Sequence, residues 1–108
     1  MAGIMQGFAE CPTTIEQGIE KPTQKPIAFI DTPTPIKSVR FEAPKENEKA
    51  VYLGDSLLVF GYGLSLLPGE SREFVFRHDS KESPGDLEDF RVVFSHEYDM
   101  ITYLAITV

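Results

Sequence analysis

The chain has 108 residues, of which 42% are hydrophobic, and a formal net charge of −7 at pH 7. This length suits a single domain with one modest core. The negative charge opposes binding to a phosphate backbone, so we expect no nucleic-acid partner. The single cysteine, Cys11, cannot close an intrachain disulfide, so packing must supply the stability.

The sequence gives no sign of membrane insertion or secretion. No run approaches the ~18 apolar residues that a membrane-spanning helix needs. The opening residues, MAGIMQGFAE, lack the positive region and the continuous apolar stretch of a secretion signal. We therefore expect no membrane partner and a protein made in the cytoplasm.

Residues 1–35 hold five of the eight prolines and show no sustained helical or alternating period. Because each proline removes a backbone donor and favours extended geometry before it, this segment is predicted to be an extended N-terminal arm outside any sheet. A short helix over Thr13 to Ile19 is the local alternative. The arm carries large apolar residues that a solvated tail would lack, and we predict that these bind a partner: Met5, Phe8, Ile15, Ile19, Ile27, Phe29 and Ile30. The other interpretation is that the arm folds back over its own domain.

Residues 36–108 have the texture of short strands. Strict alternation of apolar and polar residues predicts strands at Ser38 to Ala43, Arg72 to Arg77 and Phe90 to Ser95. Short apolar runs predict others at Ala50 to Leu53, Leu57 to Phe60, Leu64 to Leu67 and Ile101 to Val108. The last of these is apolar on both faces, so it is expected to lie centrally in a sandwich or beneath a partner.

Turn residues separate these strands. Pro68-Gly69 suits the two central positions of a type II turn, and His78 to Asp89 is predicted to be a polar surface loop. The sequence therefore predicts an all-β protein, a small antiparallel β-sandwich of the jelly-roll or immunoglobulin-like kind, over residues 36–108. The expected core is Val39, Phe41, Val51, Leu53, Leu58, Leu64, Leu66, Phe74, Phe76, Phe90, Val92, Phe94, Tyr103, Leu104 and Ile106.

One tetrapeptide calls for a test as an enzyme motif. Gly54-Asp55-Ser56-Leu57 matches the block that names a group of serine esterases. A serine nucleophile needs a histidine base held by an acid, and these enzymes place a helix after the motif in a longer α/β chain. Here the serine falls between two predicted strands, which indicates a hairpin turn. We expect no catalytic residues.

The spacing of candidate residues in the sequence gives little support for a metal site or a phosphate site. His78-Asp79 and His96-Glu97 with Asp99 carry ligand types, but their spacing does not bring three ligands together. Asp86, Glu88 and Asp89 lack the spacing of a calcium loop. Gly61-Tyr62-Gly63 precedes no helix and no lysine, which argues against phosphate binding. We expect no metal and no cofactor.

The run from Ser38 to Pro44, then Asn47, the strand Val51 to Ser56 and the turn Pro68 to Ser71 resembles a pattern of small structural proteins of tailed bacteriophages. In that pattern a strand ending in a small residue and proline leads to an asparagine, a VYVG-like strand and a PGES-like turn. The similarity covers about Ile36 to Phe76, and Tyr103-Leu104-Ala105 is similar to the usual final strand. The arm and the loop at His78 to Asp89 fall outside it.

The resemblance implies a non-enzymatic virion component, foremost a capsid decoration (cement) protein that binds the major capsid protein. It implies a homo-oligomer, with a trimer favoured, and a location in the virion. A phage tail or head-fibre component is the alternative within the same class. A carbohydrate-binding module would use Tyr52, Tyr62, Tyr98 and Tyr103, although the chain has no tryptophan. A hydrolase would use Ser56.

Overall fold

The computed structural model describes residues 3–22, 25–55, 63–76 and 85–108. Within these ranges the chain is almost entirely strands and connections, with one short 3-10 helix at Leu87–Asp89. The strands are β1 (Ile4–Glu10), β2 (Thr13–Glu16), β3 (Ile19–Pro22), β4 (Ile27–Ala28), β5 (Pro35–Glu42), β6 (Val51–Gly54), β7 (Leu64–Leu66), β8 (Ser71–Val75), β9 (Gly85–Asp86), β10 (Arg91–Phe94) and β11 (Met100–Thr107).

These strands form two antiparallel sheets and a separate hairpin. The large sheet has the order β1-β11-β5-β8, with β9 also paired to β5, and the small sheet has the order β4-β10-β6-β7. Strands β2 and β3 pair only with each other among the described residues. The predicted all-β class and small antiparallel sandwich are therefore confirmed.

Most of the strands predicted after residue 35 are present. They are β5, β6, β7, β8, β10 and β11. Their bounds agree within two residues, except that β5 begins three residues before the predicted start, at Pro35 rather than Ser38. The predicted strand Leu57 to Phe60 lies outside the described residues. The predicted surface loop His78 to Asp89 differs from expectation near its end. Leu87, the first residue of the 3-10 helix, is fully buried.

The interpretation of residues 1–35 as an arm outside any sheet is wrong for two segments. β1 pairs along its whole length with β11, from Ile4 opposite Ile106 to Glu10 opposite Met100, and β4 pairs with β10. The reason lies in where the prolines fall, since the first of them is Pro12 and β1 ends before it. A proline-free stretch keeps the donors that a sheet requires.

The possible helix over Thr13 to Ile19 is instead the hairpin of β2 and β3. Its two-residue turn, Gln17-Gly18, has φ values of 52° and 78°. Two successive positive φ values match the twist of flanking strands and are the mark of a type I′ hairpin turn.

The core lies between the two sheets and follows the pleat of the strands. Its most deeply buried large side chains include Phe41 and Val39 from β5, Leu53 from β6 and Phe94 from β10. The prediction that Tyr103, Leu104 and Ile106 all point inward is wrong for Leu104, which is 43% exposed, and for Ile106, which is partly exposed on the same side of β11. Neighbouring residues in a strand point to opposite faces, so Leu104 and Ile106 cannot share the core side with Tyr103.

The connection from β7 to β8 confirms the predicted type II turn. Glu70 N donates to Leu67 O at 2.9 Å, and Gly69 adopts the positive φ of 88° that the third turn position requires. Gly69 N also donates to Ala43 O at 2.8 Å. The PGES sequence therefore fastens this turn to the end of β5.

Gly7 lets β1 lie against the ring of Tyr103. The two residues are directly opposite in the β1–β11 ladder. A Cβ at position 7 would lie 2.7 Å from Tyr103 Oη and 2.9 Å from Cζ, which is closer than real Cβ contacts. The ring also meets Phe29 at a centroid distance of 5.6 Å, so it links β1 to the aromatic core.

Gly7→Ala is expected to lower the free energy of unfolding by about 1–3 kcal/mol, because the added methyl displaces a packed ring. Chemical denaturation measures the loss. Gln6→Ala, at the exposed neighbouring position of the same strand, is the matched control and is expected to stay within about 0.5 kcal/mol of the wild type. Equal stability of the two variants would contradict the packing role of Gly7.

Candidate interaction surface

The side of the large sheet that faces away from the small sheet carries apolar side chains in water. We call it the outer face. Its exposed or partly exposed members come from alternate positions of β1 and β11, with Val75 from β8, because successive residues of a strand point to opposite sides. These apolar members are Ile4, Phe8, Val75, Met100, Leu104 and Ile106.

The strand registers show how the outer face is arranged. One row across the sheet runs Ile4, Ile106, Ser38, Val75. The row beginning at Phe8 continues through Thr102, Glu42 and Ser71. The β1–β11 side is therefore the more apolar part, and the β5–β8 side carries the charges.

Three of these side chains, including Val75 at 69%, are far more exposed than a core role allows. Ile4 is 74% exposed and Phe8 is 59% exposed. A single exposed apolar residue is ordinary, but several on one strand pair form a patch of the kind that marks an interaction site. β1 and β11 together therefore give the best candidate surface of the large sheet.

The hairpin of β2 and β3 is the second candidate surface. Ile15 is 76% exposed and Ile19 is 59% exposed. Ile15 lies opposite Glu20 in the register and Ile19 lies opposite Glu16, which puts the two isoleucines on opposite faces. In the described part of the chain no third strand pairs with this hairpin, so its apolar groups are open on both faces. An isolated two-stranded hairpin is marginally stable in water.

The seven residues predicted to bind a partner separate into two groups. Phe8, Ile15 and Ile19 are exposed, whereas the remaining four are partly buried and pack against this chain's own core: Met5, Ile27, Phe29 and Ile30. Partner binding by the exposed three stays a prediction. Sequence reasoning missed Ile4 and Leu104, although the two-sided apolar character of the last strand already pointed to Leu104.

A buried polar cluster joins two loops at one end of the sandwich. Asp99 is 1% exposed, and its carboxylate accepts from Glu48 N at 2.7 Å and from Lys49 N at 2.9 Å. Asn47 donates through Nδ2 to Met100 O at 2.7 Å and accepts from Met100 N at 3.0 Å. These bonds hold the loop before β6 against the start of β11, so the cluster is structural.

The other candidate metal ligands that lie within the described ranges do not assemble into a site. Asp86 accepts from Thr34 N and Glu88 N at 2.8 and 2.9 Å, which makes it the cap of the 3-10 helix. His96 Nδ1 lies 3.6 Å from Asp99 Oδ1. No three His, Cys, Asp or Glu side chains in the described part of the chain converge on one point. His78 and Asp79 lie outside the described residues.

The remaining sequence motifs provide no built site within the described ranges. Ser56, the serine of the esterase-like block, lies outside them, as does Tyr62. Tyr103 is buried in the large sheet while Tyr98 is exposed in the loop before β11, so these two do not share a platform.

A cavity of about 490 Å³ between the sheets is walled by Phe74, Phe76 and Phe90, with Asp86 and Asp89 also lining it.

Comparison with known proteins adds no assignment: no family model, no curated protein and no solved structure matches this chain. No helix in the described ranges is long and apolar enough to cross a bilayer. The candidate surfaces therefore stand on their geometry alone.

Asp99→Ala is expected to lower the free energy of unfolding by roughly 2–4 kcal/mol, because two backbone donors lose a buried carboxylate partner. Thermal and chemical unfolding measure the change. Asp89→Ala is the control, because it removes an exposed carboxylate at the end of the 3-10 helix. It is expected to change the free energy of unfolding by less than about 0.5 kcal/mol. Similar losses in both variants would contradict the clamp.

Proposed function

We propose that this chain is a non-enzymatic structural protein of a bacteriophage particle, a decoration protein that binds the capsid shell. The observation that carries the proposal is the hairpin of β2 and β3, which holds Ile15 and Ile19 in water on opposite faces. The resemblance of Ser38 to Ser71 to phage structural proteins supports the same class.

The energetics favour a partner for the hairpin. Burying an exposed isoleucine fully is worth about 1.5–3 kcal/mol, and neither isoleucine gains this from its own domain. A thin hairpin with an apolar group on each face fits between two neighbouring surfaces better than onto one flat surface. A seam between capsid subunits has that form.

The rest of the chain suits a role as a rigid body. The aromatic side chains of Phe29, Phe41 and Tyr103 pack at centroid distances of 4.9 and 5.6 Å, and the Asp99 cluster fixes the loops at one end. The net charge of −7 favours basic partner surfaces. A tail or head-fibre component would use the same contacts, and the position on the particle separates it from a decoration protein.

The hairpin is tested best by point substitutions, because residues 1–35 include β1 and β4 of the sandwich and a truncation would remove both. Ile15→Ser with Ile19→Ser is expected to reduce occupancy on capsids of the encoding phage by tenfold or more, since about 1.4 kcal/mol already corresponds to tenfold. Occupancy is measured by co-sedimentation of added protein with purified capsids.

Leu67→Ser is the matched control, because Leu67 is an aliphatic residue in the turn between β7 and β8 and is 57% exposed, close to the 59% of Ile19. It is expected to bind like the wild type. Unchanged occupancy of the double variant would refute the role of the hairpin. The decoration role would be refuted if the wild-type protein did not bind the capsid, whether or not it was found on the tail.

A further inference from the structure

Among the described residues β1 pairs only with β11, so its other edge has a definite set of unpaired backbone groups. Thr107 N donates to Gly3 O at 2.8 Å, and Cys11 N donates to Asp99 O at 3.0 Å, at the two ends of the β1–β11 register. Residues that exchange bonds alternate along an antiparallel pair, so the odd-numbered residues of β1 bond to β11. The N–H and C=O groups of Ile4, Gln6, Phe8 and Glu10 therefore point to the open edge.

As far as the described residues show, this edge lacks the usual protection against strand pairing. Charged residues, lysine above all, proline, bulges and short length normally guard an edge strand. β1 has seven residues in unbroken register, no proline, and Glu10 as its only charge. The edge at the opposite side of the same sheet differs, because β8 carries Arg72 and Glu73.

We propose that the open edge of β1 pairs with β1 of a second copy of this chain, antiparallel and about a two-fold axis at Gly7. In this register Ile4 lies opposite the second copy's Glu10, and Gln6 lies opposite its Phe8. Each of the four residues whose N–H and C=O groups point to the open edge then lies opposite another such residue in the second copy. This is the condition for a complete ladder. The two four-strand paths of the large sheets join into one of eight strands.

The side chains agree with this register. The two-fold axis makes the surface self-complementary, as an isologous contact requires. Each Glu10 lies beside an isoleucine rather than beside the other Glu10, so no like charges are opposed. The two Phe8 rings lie diagonally across the axis on the outer face, within reach of each other.

This inference deepens the proposed function, because it says which strand joins two copies of the chain. The copies form a two-fold dimer in place of the expected trimer. The edge geometry that carries it does not involve the hairpin. Self-association is measured without capsids, so its failure is distinct from failure of capsid binding.

Gln6→Pro gives the sharpest test of the edge. The Gln6 N–H points to the open edge, so proline removes an intermolecular donor and keeps the bonds to β11. Sedimentation equilibrium of the full chain over a concentration series is expected to show dimers for the wild type and monomers for Gln6→Pro at the same concentrations.

Glu73→Pro is the matched control on the other edge. Phe76 N donates to Lys37 O, and Ala43 N donates to Glu70 O, both at 2.9 Å, so the even-numbered residues of β8 bond to β5 and the Glu73 N–H faces outward. This variant is expected to dimerise like the wild type. Circular dichroism and thermal unfolding of both variants establish that the fold is retained.

A charge pair tests the register without proline. Ile4→Glu places two glutamates opposite each other at both ends of the ladder and is expected to weaken the dimer by roughly two- to thirtyfold in Kd. Adding Glu10→Lys to Ile4→Glu makes both contacts oppositely charged and is expected to restore the dimer. A single Glu10→Lys variant shows whether the restoration depends on the pair.

Four results would overturn the inference: a wild-type monomer throughout the series, a trimer, a dimer that Gln6→Pro leaves intact, or an equal loss in Glu73→Pro. Failure of the second charge to restore the Ile4→Glu dimer would overturn the register.

Discussion

The pairing of β11 with both β1 and β5 is the constraint on which the rest of the structure depends. It places the last strand in the middle of the large sheet and brings Gly3 within 2.8 Å of Thr107. Two inward residues of β11, Ile101 and Ala105, are fully buried. Within the described ranges the outward residues have only their sheet neighbours beside them, so the position that stabilises the fold also creates the apolar outer face.

A second constraint acts at the end of the sandwich. Asp99 and Asn47 join the loop before β6 to the start of β11 through buried hydrogen bonds. Buried polar groups stabilise only when their partners are all present, so this cluster also fixes where β11 begins. The register of β11 with β1 is fixed at this end by Cys11 N, which donates to Asp99 O at 3.0 Å, and at the other end by Thr107 N, which donates to Gly3 O at 2.8 Å.

The sequence predicted those features that depend on local pattern. Alternation located β5, β8 and β10, and Pro68-Gly69 located a turn of the right type, because pleat and turn chemistry act over a few residues. The role of β1 escaped prediction because its inward positions are small or irregular, with Gly7 opposite Tyr103. Only the partner strand shows that a glycine there makes room for a ring.

The candidate surfaces were harder still to predict. Phe8 and Phe29 look alike in the sequence, yet Phe8 points to water and Phe29 packs on Phe41 at 4.9 Å. The difference comes from which face of the sandwich each segment reaches, and that depends on long-range pairing. Composition can therefore show that the first third of the chain is too apolar for a solvated tail, but it cannot divide core residues from contact residues.

The two candidate surfaces are connected through the chain itself. β1 ends at Glu10 and the hairpin begins at Thr13, so only Cys11 and Pro12 separate them, and Cys11 is buried. If two copies pair along β1 about Gly7, one hairpin lies at each end of the joined edge. A particle that binds one hairpin then holds the second at a high effective concentration, so two weak contacts would act as one strong contact.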